Sequence, residues 1–267
     1  IMDLTRVGLW PYRALLMKLV KRDVIGRYKG SFLGLAWSFA TPIMMLAIYT
    51  FVFTVVFNAR WDIDNGANKA VFALQLFTGL IVHGIVSEVL TRAPTLIVAH
   101  TNYVKKVVFP LHILPAVPLG SALFHAMVSA LVLVLAQVAI RGVLPWTLVM
   151  LPVVLLPLVV LAMGVSWLLA SLGVYLRDIA QTMGIVSTML LFLSPIFYPI
   201  SALPENFQTI IRLNPLTFII EQARLVVLSG QLPDFPGLAL YLGIALIFSW
   251  ATFFWFRKTS KGFADVL

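Results

Sequence analysis

Long apolar stretches alternate with short polar ones along almost the whole chain. A helix needs about 20 residues to cross roughly 30 Å of hydrocarbon. Six stretches have about that length, namely Ser31–Phe57, Val71–Leu90, Leu111–Ile140, Leu144–Leu176, Ile179–Tyr198 and Leu238–Phe256. Only Arg141, Gly142 and Val143 separate the third from the fourth, which indicates two helices joined by a tight turn, because one continuous run is too long for a bilayer. The pattern predicts an all-α integral membrane protein with six transmembrane helices.

The residues before the first span predict an amphipathic helix on the membrane surface, within residues 1–30. Its apolar residues recur every three to five positions, with cations between them. The apolar set is Leu9, Tyr12, Leu16, Leu19, Val24 and Tyr28, and the cations are Arg13, Lys18, Lys21 and Arg22. An anchor to anionic lipid is an alternative role for this helix. The first span is too long for the apolar part of a cleaved signal sequence, so we expect it to remain in the protein.

Residues 199–237 contain two short amphipathic stretches, Asn206–Leu213 and Leu216–Ser229, which are broken at Asn214 and Pro215. Charged residues interrupt both stretches, so neither can span the bilayer. Broken helices at membrane depth are tolerated where protein or a water-filled cavity satisfies the backbone. We therefore expect a re-entrant helical hairpin, and a hairpin lying on the surface is the alternative.

Local signals add detail to two of the connections. Glu221 and Arg224 are three residues apart and can pair on one helical face, and Gly230 is placed to end that helix. The connection from Thr91 to Pro110 mixes apolar and basic residues at helical spacing, which predicts a short docking helix.

Lysine and arginine set the predicted orientation. In a six-span topology, 14 of the 19 Lys and Arg residues lie on the side that holds both termini, whereas the acidic residues divide evenly. Because loops rich in Lys and Arg stay in the cytoplasm, both termini are predicted to be cytoplasmic.

Composition excludes several classes of protein. The 267 residues are 61% hydrophobic and 11% charged, with a mean hydropathy of +1.01, which leaves too little polar surface for a soluble globule of this size. The net charge of +9 is dispersed between apolar runs, whereas a nucleic-acid partner requires a basic face. Without cysteine, disulfides, thiol nucleophiles and Cys-based metal sites are excluded.

No catalytic motif is present in the sequence. It contains no Gly-x-x-x-x-Gly-Lys-Ser/Thr loop, no His-Glu-x-x-His and no Gly-x-Ser-x-Gly. We therefore expect no cofactor and no metal on this chain. Only His83 and His125 lie well inside the predicted spans, with Glu88 near the cytoplasmic end of the second, and we interpret the histidines as neutral side chains bonded to neighbouring helices. They are too few for a proton relay.

Aromatic residues gather in the first and fifth spans. The candidates for the lining of a glycan channel are Trp37, Phe39, Tyr49 and Phe53 in the first, and Phe192, Phe197 and Tyr198 in the fifth. Aromatic faces stack on sugar rings. Lipid-facing and interfacial positions are the alternative, since Trp and Tyr are common there.

Five stretches together resemble the membrane subunits of ABC-2 type exporters, and among them the polysaccharide and O-antigen permeases. These are "LVKRDVIGRYKGSFLGLAWSFATPIMMLAIYTFVF", "LIVAHTNYVKKVVFPLHILP", "GVYLRDIAQ", "LFLSPIFYPISALPE" and "LNPLTFIIEQAR". They occur in order and cover nearly the whole chain. The resemblance implies one transmembrane domain over 1–267, divided into an interface helix (1–30), five spans (31–198), a periplasmic gate segment (199–237), a sixth span (238–256) and a cytoplasmic tail (257–267).

The resemblance also implies partners and a substrate. Such a chain forms a homodimer in the bacterial inner membrane with two copies of an ABC ATPase, which bind the ATP and Mg. The implied substrate is a polysaccharide on undecaprenyl pyrophosphate, exported from cytoplasm to periplasm. The chain itself is then a transport subunit and not an enzyme.

Three groups of site residues follow from the resemblance. The substrate entrance is expected at Arg27, Tyr28 and Lys29, where cations can bind a pyrophosphate. Coupling to the ATPase is expected at Arg22, His100, Tyr103, Lys105, Lys106, Arg177 and Asp178. The periplasmic gate is expected at Asn214, Pro215, Glu221 and Arg224.

Other functions stay open from sequence. An ABC-2 permease can carry capsule, teichoic acid or a small amphipathic drug instead. A membrane-embedded glycosyltransferase and a stand-alone channel belong to different classes, and both predict that no ATPase subunit is bound.

Overall fold

The computed structural model describes residues 9–52, 69–105 and 109–267, and the regular elements within these ranges are all helical. The predictions for Phe53 and Lys106 lie outside the described residues. The α-helices are α1 (Arg13–Tyr28), α2 (Trp37–Phe51), α3 (Lys69–Leu96), α4 (Thr101–Lys105), α5 (Ala116–Arg141), α6 (Leu151–Tyr175), α7 (Ile179–Leu193), α8 (Glu205–Leu213), α9 (Pro215–Arg224), α10 (Phe235–Thr259) and α11 (Phe263–Val266).

Five helical segments of the described residues are long and apolar enough to cross a membrane. They are Gly34–Phe51, Val71–Leu96, Leu111–Arg141, Trp146–Tyr175 and Phe235–Val266. Each overlaps one predicted span, and the predicted tight turn is confirmed at Gly142, whose φ of 66° is left-handed. Multi-pass membrane architecture follows from these lengths.

The fifth predicted span is shorter than the sequence indicated. Its helix, α7, ends at Leu193 and not at Tyr198, and its 15 residues cover only about 22 Å. A proline clashes with helical backbone at the residue before it. Ser194, which precedes Pro195, accordingly has φ −96° and ψ 149°.

The N-terminal helix α1 packs against the start of α5 through its apolar face. Leu19 is buried against Ile113 and Val117, while the intervening cations Lys18 and Lys21 are exposed. Two residues of the predicted apolar set are therefore buried against the protein, Leu19 and Val24, whereas Met17 and Ile25 on the same helix are exposed. The position of α1 on the membrane surface stays a prediction.

A glycine elbow joins α1 to α2. Gly30 and Gly34 have φ values of 87° and 52°, which glycine adopts at little cost. The backbone can thus change direction in the short connection between Tyr28, where α1 ends, and Trp37, where α2 begins.

The centre of the fold is α3. Two-thirds of its spanning window is buried, against 6% for the window that contains α2. Helices α5, α6, α7 and α9 pack around α3, and α6 pairs with α10. Polar residues on α3 are therefore held among several helices.

The predicted break at Asn214 and Pro215 is present, between two helices of which the second continues as a short π-helix. Helices α8 and α9 meet at Asn214, and a π-helix, Leu225–Ser229, extends α9. Gly230 ends it with a left-handed φ of 69°, as predicted. In the connection after α3, the helix continues through Pro94, and the predicted docking helix is the five-residue α4.

Candidate functional site

A cluster of charged side chains lies where α1 crosses α3 and α5. Glu88 on α3 is its hub: Arg92 donates to Glu88 Oε1 at 2.8 Å, Arg27 on α1 pairs with the same oxygen, and His125 Nδ1 on α5 lies 3.2 Å from Oε2. The carboxylate is largely buried and its charge is balanced by these neighbours. Glu88 thereby connects α1, α3 and α5 through side-chain contacts.

Asp23 continues this cluster along α1. Arg92 donates to Asp23 Oδ1 at 2.6 Å, and the Ser121 hydroxyl of α5 donates to Oδ2. Burial alone would raise the pKa of Asp23, but the hydrogen bonds from Arg92 and Ser121 and the arginine charge hold it below its ordinary value. Asp23 is therefore ionised at neutral pH.

A cavity of about 330 Å³ adjoins the cluster between α2, α3 and α5. Arg27 and Tyr28 line it, and the Tyr28 hydroxyl lies 3.1 Å from His125 Nε2. Lys29, the third predicted entrance residue, is exposed beyond the end of α1. The structure thus brings two of the three entrance residues to one cavity.

A second cavity, of about 420 Å³, lies between α1, the end of α3 and the start of α5. Arg22, Arg92 and His100 are among its lining residues. Arg22 donates to the Tyr103 hydroxyl at 3.2 Å, and Tyr103 stacks on His100 with ring centroids 5.7 Å apart. Helix α4 is therefore attached to α1 through predicted coupling residues.

The remaining described coupling residues are at separate surface positions. Lys105 is exposed at the end of α4, and Arg177 and Asp178 are exposed at the turn between α6 and α7. Their surface positions leave them accessible to a partner, and their roles stay predictions.

The candidate channel aromatics divide into inward and outward groups. Tyr49 lines the first cavity. Trp37, Phe39 and Phe192 are exposed, and Phe192 packs against Phe197 with centroids 5.6 Å apart. Outward exposure on a single chain is compatible with both a channel lining and a lipid-facing position, so both interpretations remain.

Tyr198 and the candidate gate residue Asn214 bind the broken end of α7. The Tyr198 hydroxyl donates to Phe192 O at 2.8 Å. The Asn214 amide donates to Leu193 O at 3.2 Å and to Ser194 Oγ at 3.0 Å. The Asn214 side-chain oxygen also caps α9, in which Pro215 takes the first position.

Arg224 is held in the interior, with 9% of its surface exposed. It donates to three backbone carbonyls, those of Gln75 at 3.0 Å, Pro195 at 2.7 Å and Ile196 at 3.1 Å. Burial lowers the pKa of Arg224 to about 9, against the opposing charge of Glu221, so it remains cationic at neutral pH. Two of these carbonyls, those of Pro195 and Ile196, follow the break after Leu193 and lack helical donors, so the guanidinium satisfies them.

The expected pairing of Glu221 with Arg224 is not observed. Glu221 is exposed, and among the described residues the ion pairs within 4 Å are all in the Glu88 and Asp23 cluster. Arg224 reaches inward to backbone oxygens, so the two side chains form no ion pair within 4 Å despite their helical spacing.

Sequence reasoning missed the side chains that hold the π-helix after α9. Gln137 donates to Val227 O at 2.8 Å, Thr147 donates to Val226 O at 2.6 Å, and Arg141 donates to Leu228 O. These residues are distant in sequence and form no local motif. A polar Gln within an apolar span was the single signal available.

The two histidines within spans differ. His83 bonds to Ser187 O of α7 at 3.0 Å, which confirms the predicted hydrogen bond to a neighbouring helix. His125 instead belongs to the charged cluster and lies close to Arg27, at 3.2 Å. The spacing of Glu88 and Arg92 by four residues was the sequence signal for this cluster.

The family model for ABC-2 type transporters matches residues 14–228, which contain α1 through most of the π-helix. This chain belongs to the ABC-2 type transporter family. The match includes the charged cluster, both cavities and the broken segment, so these features of the ABC-2 chain lie within its family region.

Several curated proteins are similar to the ABC-2 chain over most of its length. The O-antigen export system permease protein RfbA of Myxococcus xanthus is 27% identical over 259 residues, 96% of each chain. The protein of that name in Klebsiella pneumoniae is 27% identical over 256 residues, 95% of each. The polysialic acid transport protein KpsM of Escherichia coli is 23% identical over 265 residues, 91% of this chain and 96% of that protein.

Proposed function

We propose that this chain is the permease subunit of an ATP-driven exporter for lipid-linked polysaccharide, of the O-antigen type. The observation that carries the proposal is the similarity to O-antigen export permeases along 96% of the chain, within a family matched from residue 14 to 228. The substrate is a glycan on undecaprenyl pyrophosphate, moved from cytoplasm to periplasm across the inner membrane.

The proposed membrane path has six spans. Five helical segments have spanning length, and α7 with the turn that follows it supplies the remaining crossing. The excess of Lys and Arg on the side of both termini supports cytoplasmic termini. On this path α8 and α9 form the re-entrant periplasmic gate, with Asn214 and Arg224 attached to the broken end of α7.

The proposed assembly is a homodimer with two ATPase subunits that bind ATP and Mg. Contact between Arg22 on α1 and Tyr103 on α4 supports a single coupling surface formed by both helices. Lys105, Arg177 and Asp178 are exposed, as direct contact with a partner requires. Exposed aromatics on α2 and α7 would line the channel between the two copies.

Complementation tests this function. The gene is introduced, with and without its ATPase partner, into an O-antigen-producing strain that lacks its own permease, and surface polysaccharide is measured. We expect long-chain surface polysaccharide only when both proteins are present. Export without any ATPase, or accumulation of glycan inside cells that express both proteins, contradicts the proposal.

Capsular polysaccharide is a second candidate substrate. Similarity to polysialic acid transport proteins over 91% of the chain supports it. The same experiment in a strain that lacks its capsule permease separates the two, because restoration of capsule without O-antigen identifies the capsular glycan as substrate.

A further inference from the structure

The first cavity has one charged end and one apolar end. On the continuous helix α3, Glu88 lies at the charged end and Phe77, eleven residues earlier, lies at the apolar end. That separation corresponds to about 16 Å along the helix. Tyr49 and Leu80 complete the apolar wall. Such a shape matches an amphiphile with a polar head and a hydrocarbon chain.

The charged end presents several hydrogen-bond donors close together. Arg27 Nη1 and His125 Nδ1 are 3.2 Å apart, and the Tyr28 hydroxyl lies 3.1 Å from His125 Nε2. All three residues line the cavity. A guanidinium, a phenol and an imidazole around one space are suited to phosphate oxygens.

Arg27 can turn to a ligand without leaving a buried charge unpaired. Its side chain is 37% exposed, whereas that of Glu88 is 13% exposed. If Arg27 moves away, Glu88 keeps Arg92 at 2.8 Å and His125 at 3.2 Å. The cost of isolating a buried carboxylate is thereby avoided.

The charges of the cluster do not oppose an anionic head. Arg27 and Arg92 balance Glu88 and Asp23. An incoming phosphate therefore meets a guanidinium in a cluster whose carboxylates are already paired.

We propose that this cavity, inside a single copy of the chain, binds the phosphate of a membrane lipid. Arg27, Tyr28 and His125 contact the phosphate, and the first part of the hydrocarbon chain lies along Tyr49, Phe77 and Leu80. A volume of about 330 Å³ is that of a small-molecule pocket, so the rest of the lipid extends past α2 into the bilayer. The lipid is the carrier of the exported glycan or a bilayer phospholipid, and its identity as carrier rests on the proposed function.

Gly84 provides a variant that fills the cavity without disturbing the cluster. It lines the cavity on α3, and a Cβ atom built there meets nothing within 4 Å. The change Gly84→Leu therefore places a side chain into the space occupied by the lipid. Gly243→Leu on α10 is the matched control, because its Cβ is equally unobstructed and it lies away from this cavity.

The experiment measures lipid binding to the chain purified in detergent, by native mass spectrometry. Undecaprenyl phosphate, phosphatidylglycerol, undecaprenol and inorganic phosphate are the probes. For the phosphorylated lipids, we expect Gly84→Leu and Arg27→Gln each to weaken binding by about tenfold or more, and Gly243→Leu to leave it unchanged. Undecaprenol and inorganic phosphate are each expected to bind at least about tenfold more weakly than undecaprenyl phosphate.

Each outcome bears on a stated part of the proposal. Selective binding of undecaprenyl phosphate identifies the glycan carrier, and equal binding of phosphatidylglycerol identifies a general phospholipid; both support the cavity. Equal lipid binding by the parent chain and the Gly84→Leu and Arg27→Gln variants overturns it. The proposal is also overturned if undecaprenol binds as tightly as undecaprenyl phosphate. The same holds if inorganic phosphate, which has no hydrocarbon tail, binds equally tightly. Since binding is measured without transport, a failure of O-antigen export does not affect this result.

Discussion

Arg92 on α3 holds Asp23 on α1 at 2.6 Å while it also bonds to Glu88 at 2.8 Å, one turn earlier on its own helix. One guanidinium thereby attaches the N-terminal helix to α3, the most buried of the five described segments of spanning length. Because Glu88 also contacts Arg27 and His125, a movement of α1 changes the surroundings of the first cavity. The same contacts connect α1 to the start of α5 through Ser121.

Replacement of Asp23 by Asn is expected to loosen α1. The change removes a charge-assisted hydrogen bond from Arg92, at a cost of roughly 1–2 kcal/mol, while Arg92 keeps Glu88. Hydrogen exchange of the α1 amides and thermal unfolding in detergent measure the effect. Asp265→Asn, at an exposed position on α11, is the control, and equal α1 protection in both variants would refute the prediction.

The Asp23 contribution has a defined pH dependence. Its pKa in the folded protein lies below the ordinary value of 3.8. A carboxyl whose pKa is lowered by folding stabilises the folded protein at pH values above its ordinary pKa. This stabilisation is lost as the pH falls through the pKa of the folded state. The stability difference between the parent protein and Asp23→Asn should be constant above about pH 5 and shrink below about pH 4. A stability difference that persists unchanged to lower pH would show that ionisation of the Asp23 carboxyl is not its cause.

Replacement of Arg224 by Gln should destabilise the gate segment. The carbonyls of Pro195 and Ile196 lose their donors, and each buried unsatisfied acceptor costs about 1–3 kcal/mol. Gln75 O loses only a second donor, because it lies within α3 and keeps its helical hydrogen bond. We expect a lower unfolding temperature and faster hydrogen exchange in α9. Arg212→Gln, at an exposed position on α8, should change neither; similar losses in both variants would show that general charge removal is responsible.

Arg27 and Lys29 should differ in their effect on export. Arg27 reaches the cavity, while Lys29 is exposed. Arg27→Gln is expected to reduce surface polysaccharide by about tenfold through lost charge-assisted bonds, and Lys29→Gln to reduce it less. Arg13→Gln, at the start of α1, is the charge-matched control. Normal export by a normally expressed Arg27→Gln/Lys29→Gln double variant would remove both residues from the substrate entrance.

Tyr103→Phe tests whether α1 and α4 act as one coupling surface. The change keeps the stacking on Phe109 at 4.5 Å and removes the hydroxyl that accepts from Arg22. The ATPase should still co-purify, while substrate-stimulated ATP hydrolysis falls by about two- to tenfold, as the loss of one hydrogen bond implies. Tyr12→Phe is the control, because it removes a tyrosine hydroxyl from the short helical turn that precedes α1. Full stimulation in Tyr103→Phe would show that this contact has no coupling role.

Alanine at Tyr49, Phe197 and Tyr198 tests the channel aromatics. If each ring contributes about 0.5–1.5 kcal/mol of stacking, glycan export should fall by roughly tenfold or more in the triple variant. Trp250→Ala on α10, a residue 66% exposed, is the control. Unchanged glycan flux in the triple variant would assign these residues to lipid contact.

Local patterns predicted most helices because helical periodicity and apolar length act over short distances. The helix α1, the turn at Gly142 and the stop at Gly230 were all predicted in this way. The end of α7 was placed too late, since the apolar run continues past Ser194 while Pro195 prevents regular helix. The pairing of Glu221 with Arg224 was wrong because a guanidinium close to unsatisfied carbonyls bonds to them instead.

The sequence alone determined that the protein is a helical membrane protein, since 61% hydrophobic composition in runs of spanning length has no other stable arrangement. It also determined the family, through motifs in order along the chain. Only the tertiary structure decided that Asp23, Glu88, Arg92 and His125 form one cluster beside a cavity. These residues are up to about a hundred positions apart, and it is the packing of α1, α3 and α5 against each other that places their charges within hydrogen-bonding distance.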